Sequence, residues 1–559
     1  MSILHKNLKQ RIPFFVQKNK LFILRSMYYH PVMEIADTKR SIAKGALYFL
    51  TGTFMSRITG MARDLSMAFC FGASPAVSTF LIAFRLSNLL RRLFGEGALM
   101  NGFVPFFEEK RKVDPHCGVI FFRDLFWSIA LLLTAIILLI EAVVCPLYYL
   151  GTFSPQVSEI LLLTMIQLPG LFFICLFGVV IALLQCERIF FIPGVVPVAF
   201  NTLWIVALWG LKKWDPLFAM RGLSVVIVAA FALQFLFTLI PLKKIIFSKM
   251  NFKQWCSPTL FSRELALMVV PVIFGVIGVA ATQINSALDL LMARWVSLSG
   301  PSFLNYAQRV YQLPIGVFAI AISSALLPPL SRAIKNGNID QYRLLIAYGI
   351  EKSYTLLVPG TIAIGVLGLC SINLLFGRGE FNQSAVCETT LSLWGYAMGL
   401  VPSAFILLMA PAFCARGDYK TPMIGSLISV IVNVVINAIL IAFFNLGPSS
   451  IAFSTTITAY INVIFLSKKL KIERVLGINF IKIVVSALCG GVITAYIGNT
   501  LFNDPTLALL MGEKDIFLTR DFTAQLIHFG SLASIFGILT LLFAHCFKAT
   551  SFLELFKKG

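Results

Sequence analysis

Charged side chains interrupt four stretches of this chain that are otherwise apolar. The first stretch carries Arg57, Arg63 and Asp64, and the second Arg85, Arg91, Arg92 and Glu96. Far downstream, one stretch carries Asp289 and Arg294, and the next carries Arg309. An arginine at the centre of a bilayer helix costs roughly 2.5–3.5 kcal/mol on insertion scales. These groups must therefore face one another or a watery cavity, with snorkelling to the interface as the alternative for Arg91, Arg92 and Arg294. Helical spacing places Arg57 and Asp64 on one face, seven residues apart. Arg85, Arg92 and Glu96 share another face, with Arg91 about 100° away from Arg92. An arginine-dominated cavity selects an anion, because the guanidinium is a permanent charge whose planar fork fits phosphate oxygens bidentately. The same residues offer no nucleophile–base pair and no paired carboxylates, so no catalytic residue is expected and the chain is not read as an enzyme.

The elements that hold these charges are hydrophobic helices. The 559 residues are 58% hydrophobic and 13% charged, against roughly 45–50% and about 25% in a soluble domain. A spanning helix takes about 20 apolar residues. Fourteen such stretches are read at 43–63, 76–107, 126–150, 158–184, 192–210, 222–242, 265–296, 303–331, 350–376, 390–414, 422–444, 447–467, 478–500 and 525–547. In lipid the backbone must satisfy itself, and no alternating barrel pattern is present, so the fold class is an all-α polytopic membrane protein.

The net charge of +21 follows the positive-inside pattern and is not a nucleic-acid signature. Lys110-Arg111-Lys112, Lys243-Lys244, Arg332, Lys335, Arg343, Arg416 and Lys468-Lys469 follow even-numbered stretches. Odd-numbered stretches are followed only by Lys212, Lys213, Arg221, Arg378, Lys514 and Arg520. The bias puts both termini in the cytoplasm. Eleven scattered cysteines and five isolated histidines suggest neither a disulfide framework nor a zinc site.

An internal repeat organises the chain. Asp64-Leu65-Ser66-Met67-Ala68 aligns with Asp289-Leu290-Leu291-Met292-Ala293, Arg85-Leu86 with Arg309-Val310, and Phe103-Val104-Pro105 with Leu326-Leu327-Pro328. Pro193 recurs as Pro422, so the offset stays near 223–229 residues. Six stretches fit in that offset, which relates the halves by an axis along the membrane normal. The expected divisions are a basic tail at 1–40, six-helix lobes at 41–245 and 246–475, two extra helices within 476–548, and a tail at 549–559.

Two runs are highly specific. One is Ser56-Arg57-Ile58-Thr59-Gly60-Met61-Ala62-Arg63-Asp64 with Phe71-Gly72-Ala73. The other is Ala83-Phe84-Arg85-Leu86-Ser87-Asn88-Leu89-Leu90-Arg91-Arg92 running on to Glu96 and Phe103-Val104-Pro105. With Tyr306-Ala307-Gln308-Arg309, they closely resemble the MurJ/MviN family of lipid II flippases. The resemblance covers the chain from about residue 41. It implies a fourteen-helix, two-lobed exporter fold in the bacterial inner membrane. The implied substrate is undecaprenyl-diphosphate-linked disaccharide-pentapeptide (lipid II), and the implied role is in peptidoglycan synthesis. Membrane lipids and cell-wall synthesis proteins are implied as further partners. Carried over, the arginines contacting the diphosphate are Arg57, Arg63, Arg91 and Arg309; Asp64 is counted with these substrate-binding residues, and Arg85, Asn88 and Glu96 are secondary cavity candidates.

Some members of that family hold sodium in the C-terminal lobe, and Asp289, Asn433 and Asn437 match that pattern, with Thr455 or Thr456 as further oxygen ligands; the alternative is that Asn433 and Asn437 only hydrogen-bond between helices. No other cofactor is implied. Two positions depart from the family: Gln308 and Ser78 stand where an acidic residue is frequent. The alternative function is export of another lipid-linked oligosaccharide or of a drug. A cationic drug would be expected to meet membrane carboxylates rather than arginines.

Overall fold

The computed structural model describes residues 39–89, 91, 98–189, 191–444, 446–471 and 477–554. Arg92, Glu96 and most of the basic N-terminal tail lie outside the described residues. The main helices run α1 Lys39–Phe71, α2 Pro75–Ser87, α3 Ala98–Val113, α4 Pro115–Leu150, α5 Pro155–Cys186, α6 Phe191–Leu211 and α7 Pro216–Phe247. They continue as α8 Arg263–Val296, α9 Gly300–Pro314, α10 Ile320–Lys335, α11 Ile339–Phe376, α12 Gln383–Ala397, α13 Leu400–Ala415, α14 Lys420–Phe444, α15 Ser449–Leu470, α16 Ile478–Leu501 and α17 Phe522–Cys546.

Among the described residues, every one of the fourteen expected stretches contains helix. Apolar length alone gives a smaller number: among the described residues, ten helices can cross a membrane, or eleven if α12 and α13, bent by 47°, form one span. The other expected spans are α1, which carries the charges, the α2–α3 segment, and α8. Helix starts are written locally. Ser74-Pro75, Asp114-Pro115 and Asp215-Pro216 each place a capping oxygen before a first-turn proline, which occupies a position whose N–H has no partner within the helix. Between α9 and α10 the chain makes a π-helical turn, Ile315–Ala319, directly after Pro314.

Three large cores, beside two smaller clusters, hold the helices together among the described residues. One fills the first half and reaches Leu265 and Met268 of α8. A second belongs to the second half and includes Tyr354, Phe405 and Phe413 with Ile483 and Ala544 of the two C-terminal helices. The third joins the halves: Ala68, Ala73 and Ile82 pack with Phe303, Tyr306 and Phe381. Helices α16 and α17 pair with each other and dock on α11.

The chain between the halves, from the end of α7 to the start of α8, is strapped to α4. Arg123 donates to the Gln254 carbonyl at 2.8 Å and Trp127 Nε1 to the Trp255 carbonyl at 3.0 Å. The backbone N–H of Thr259 donates to Asp124 at 2.9 Å, and that of Phe261 to Ser128 at 3.1 Å.

Candidate functional site

Four of the five expected substrate residues can be followed from α1 to α9. Arg63 grips its neighbour Asp64 with Nε at 3.0 Å and Nη2 at 2.8 Å, both on Oδ1. The other carboxylate oxygen, Oδ2, lies 2.9 Å from Nε of Arg309, across the boundary between halves. Asp64 therefore ties an arginine of each half. Arg57, exposed and two helical turns before Asp64, faces the π-helical turn: a Cβ on Gly316 would sit 3.6 Å from its Nη1. The seven-residue spacing of Arg57 and Asp64 is thus matched by that of Gly316 and Arg309 on the facing helix. Arg91 and Arg309 are both electrostatic neighbours of Arg63.

Sequence reasoning missed what holds Arg63. Its Nη1 donates to Oδ1 of Asn201 at 3.2 Å, and its guanidinium lies over the Trp204 ring, 4.6 Å from the centroid. Asn201 in turn donates to the Ser56 carbonyl at 3.2 Å and to Thr59 Oγ1 at 3.1 Å. Helix α6 so fixes the fork's plane. A lone asparagine in the apolar stretch 192–210 was the only available signal.

The secondary residues fall elsewhere. Arg85 is an electrostatic neighbour of Asp289 in the other half. Asn88 closes the end of α2, its Nδ2 donating to the Phe84 carbonyl at 2.8 Å. Arg294, near the end of α8, donates forward to the Leu298 carbonyl just past the helix.

The aspartate repeated at 289 has a different task from Asp64. It is buried within the second half. Its Oδ1 accepts from Asn437 Nδ2 at 3.2 Å, and its Oδ2 from Thr455 Oγ1 at 3.3 Å and Asn285 Nδ2 at 3.4 Å. Asn437 also donates to Asn433 Oδ1 at 2.9 Å, while its own buried Oδ1 lacks a hydrogen-bond donor. An orphaned buried oxygen beside a carboxylate and two further oxygens suits a hard monovalent cation. Thr456, the other candidate ligand, donates instead to the Gly395 carbonyl at 2.7 Å.

At the end of the helices followed by few basic residues, the halves meet backbone to backbone. Glu380 N–H donates to the Phe69 carbonyl at 3.0 Å, and Tyr306 Oη to the Gly72 carbonyl at 3.2 Å. Gly72 (φ +61°) and Gly379 (φ +62°) form the contact; a Cβ on either would lie 2.3 or 2.2 Å from a backbone oxygen of the other half. Ser78, read from sequence only as a missing carboxylate, is buried here. Its hydroxyl lies 2.7 Å from that of Ser302 and accepts the Ser302 N–H at 3.2 Å. At the opposite end, Lys110 of α3 pairs with Glu264 of α8 at 2.5 Å.

The family model described as lipid II flippase MurJ matches residues 67–505. This chain belongs to the MurJ family. A probable lipid II flippase MurJ of Chlamydia trachomatis serovar D is 32% identical over 407 residues, 72% of this chain and 74% of the relative. One from Vibrio cholerae serotype O1 is 29% identical over 79% of this chain and 85% of its own. Among solved structures, a lipid II flippase MurJ in an inward closed conformation matches with a TM-score of 0.71 at 22% identity, over 90% of this chain and 98% of its own. An inward-facing multidrug resistance transporter of the MATE family matches at 0.60 and 17% identity, over 77% of this chain and 98% of its own. Both structures speak to the fold alone. This MurJ-family chain is a multi-pass protein of the bacterial inner membrane.

Proposed function

We propose that this chain flips lipid II, the undecaprenyl-diphosphate-linked peptidoglycan precursor, across the inner membrane by alternating access between its two lobes. The observation that carries the reading is the Arg63–Asp64–Arg309 bridge between the halves. Arg57, Arg63 and Arg309 gather around the carboxylate of Asp64, so arginine outnumbers carboxylate among the described residues of this group. A diphosphate presents the bidentate oxygens that an arginine fork prefers. By competing with Asp64 for Arg63 and Arg309 it would exchange a direct tie between lobes for one that runs through the ligand. A ligand shifts such an equilibrium only by binding one arrangement better, and arginines from both halves supply that difference. The charge bias of the loops supports cytoplasmic termini, with the Gly72–Gly379 contact on the opposite side.

Transport needs no bond made or broken, and the described residues of the arginine group offer the charge that holds an anion rather than an acid–base pair. Asp289, Asn433, Asn437 and Thr455 would hold a sodium ion, supplying a charge that stabilises the second lobe's packing. The test is translocation of lipid II in cells depleted of their own flippase and complemented with this chain. Arg309→Lys and Arg63→Lys should insert normally and lose most flipping. Full flipping by both variants would refute the diphosphate assignment.

A further inference from the structure

The two halves treat their basic helix ends differently. In the first half, Glu187 follows the last residue of α5 and takes two cations: Lys249 Nζ at 3.4 Å and Arg111 Nη1 at 3.7 Å. Arg111 is also held by Glu108 at 2.7 Å. The corresponding place in the second half follows the last residue of α13. The offset of 229 residues that relates Pro193 to Pro422 puts Arg416 there, opposite Glu187. The repeat thus reverses the charge at one position.

Around Arg416 lies a cavity of about 460 Å³. Arg343, Lys469 and Lys471 line it with Arg416, and Ile334 and Leu470 add apolar wall. All four cations are exposed, and among the described residues none has a carboxylate within ion-pair distance. The nearby Asp418 is committed to Thr421, accepting its N–H at 3.0 Å and its hydroxyl at 2.6 Å. Arg416 is held in place by the Tyr342 ring, 4.2 Å from its guanidinium carbon.

Four like charges around one concavity repel one another unless an anion is shared between them. The walls place that anion where hydrocarbon meets water, because they belong to the ends of membrane helices. We propose that this cavity binds the phosphate headgroup of an anionic phospholipid, whose acyl chains remain in the bilayer beside α10 and α15. Basic pockets between helix ends are suited to such headgroups, each cation contributing about fivefold in affinity. This site is separate from the Arg63–Arg309 group and does not depend on how that group is read.

The experiment uses the full-length chain in nanodiscs of phosphatidylcholine alone or with one fifth phosphatidylglycerol or cardiolipin. Thermal stability and lipid retention by native mass spectrometry are the readouts. Anionic lipid should raise the unfolding temperature and leave retained lipid adducts. The pair Lys469→Gln and Lys471→Gln, both exposed, should weaken retention about 25-fold, the product of two fivefold steps. Arg416→Glu, which restores the first half's charge, should weaken it further. An equal response to anionic lipid in the lysine variant would overturn the proposal. So would inorganic phosphate in phosphatidylcholine discs reproducing the stabilisation at millimolar concentration, because the site would then be one for a free anion.

Discussion

Substituting Gly72 by alanine separates two effects that one residue combines. Its φ of +61° is the left-handed region, where a Cβ costs roughly 1–2 kcal/mol whatever surrounds it. The same Cβ would lie 2.3 Å from the Glu380 oxygen. To restore an ordinary contact near 3.4 Å the two backbones must part by about 1.1 Å. That motion strains the Glu380–Phe69 and Tyr306–Gly72 hydrogen bonds, at 3.0 and 3.2 Å. Each bond is worth about 0.5–1.5 kcal/mol net. The closed arrangement at this end should therefore lose about 1–3 kcal/mol relative to an open one, a shift of roughly 5–150-fold in their ratio. Gly337→Ala is the control: its φ is +68° but nothing lies within 4 Å, so it carries only the left-handed penalty. The assay is double electron–electron resonance between spin labels on Lys213→Cys and Asp515→Cys, both exposed, with exposed Cys256 and Cys546 replaced by serine. Gly72→Ala should add a longer-distance population that Gly337→Ala lacks. Identical distance distributions in the two variants would refute the argument.

Other perturbations have equally definite outcomes. Asp64→Asn should cut lipid II flipping at least tenfold with normal insertion, because Arg63 and Arg309 lose the carboxylate they share; near-normal flipping in cells would contradict this. Asn201→Leu should free the Arg63 guanidinium from one charge-assisted hydrogen bond, worth about 1.5–3 kcal/mol, and reduce flipping less than Arg63→Ala does. Asp289→Asn should abolish any rise in unfolding temperature between potassium and sodium buffers, and persistence of a sodium-specific rise would place the ion elsewhere. Arg123→Ala removes a buried partner of Asp124 and the bond to Gln254, a loss of about 3–5 kcal/mol for a broken buried pair. Limited trypsin digestion should then cut faster after Lys253 in the strap.

How much of this was legible in the sequence depended on cost. Arg63, Asp64 and Arg309 stood out because charge in an apolar stretch is expensive, and the structure brings them together. Asn201 did not stand out, since an amide in a membrane helix is common and its partner is 138 positions away. The Gly72–Gly379 contact was invisible for another reason: glycine is frequent in such helices, and only tertiary packing reveals which ones touch. The repeat predicted two halves with aspartates in matching places. It did not predict that one aspartate would join the halves while the other satisfied amides inside its own. At position 78 the family resemblance drew attention to the absent carboxylate, and the structure adds that the serine is buried against Ser302.

The Ser78–Ser302 contact has a historical consequence. The two residues are 224 positions apart, within the offset that relates the halves, so each is its partner's counterpart. Contacts between equivalent positions are what a two-fold axis produces, and they are self-complementary: one side chain serves on both sides. A half-length ancestor that paired in parallel would have made this contact with itself. Duplication and fusion then supply both hydroxyls at once, with no second mutation required. Sites off the axis are free to diverge after fusion, as Asp64 and Asp289 have done, and as Glu187 and Arg416 have done with opposite charge. Self-pairing at the axis and divergence away from it would let an asymmetric transporter arise from a symmetric pair without passing through an unpaired state.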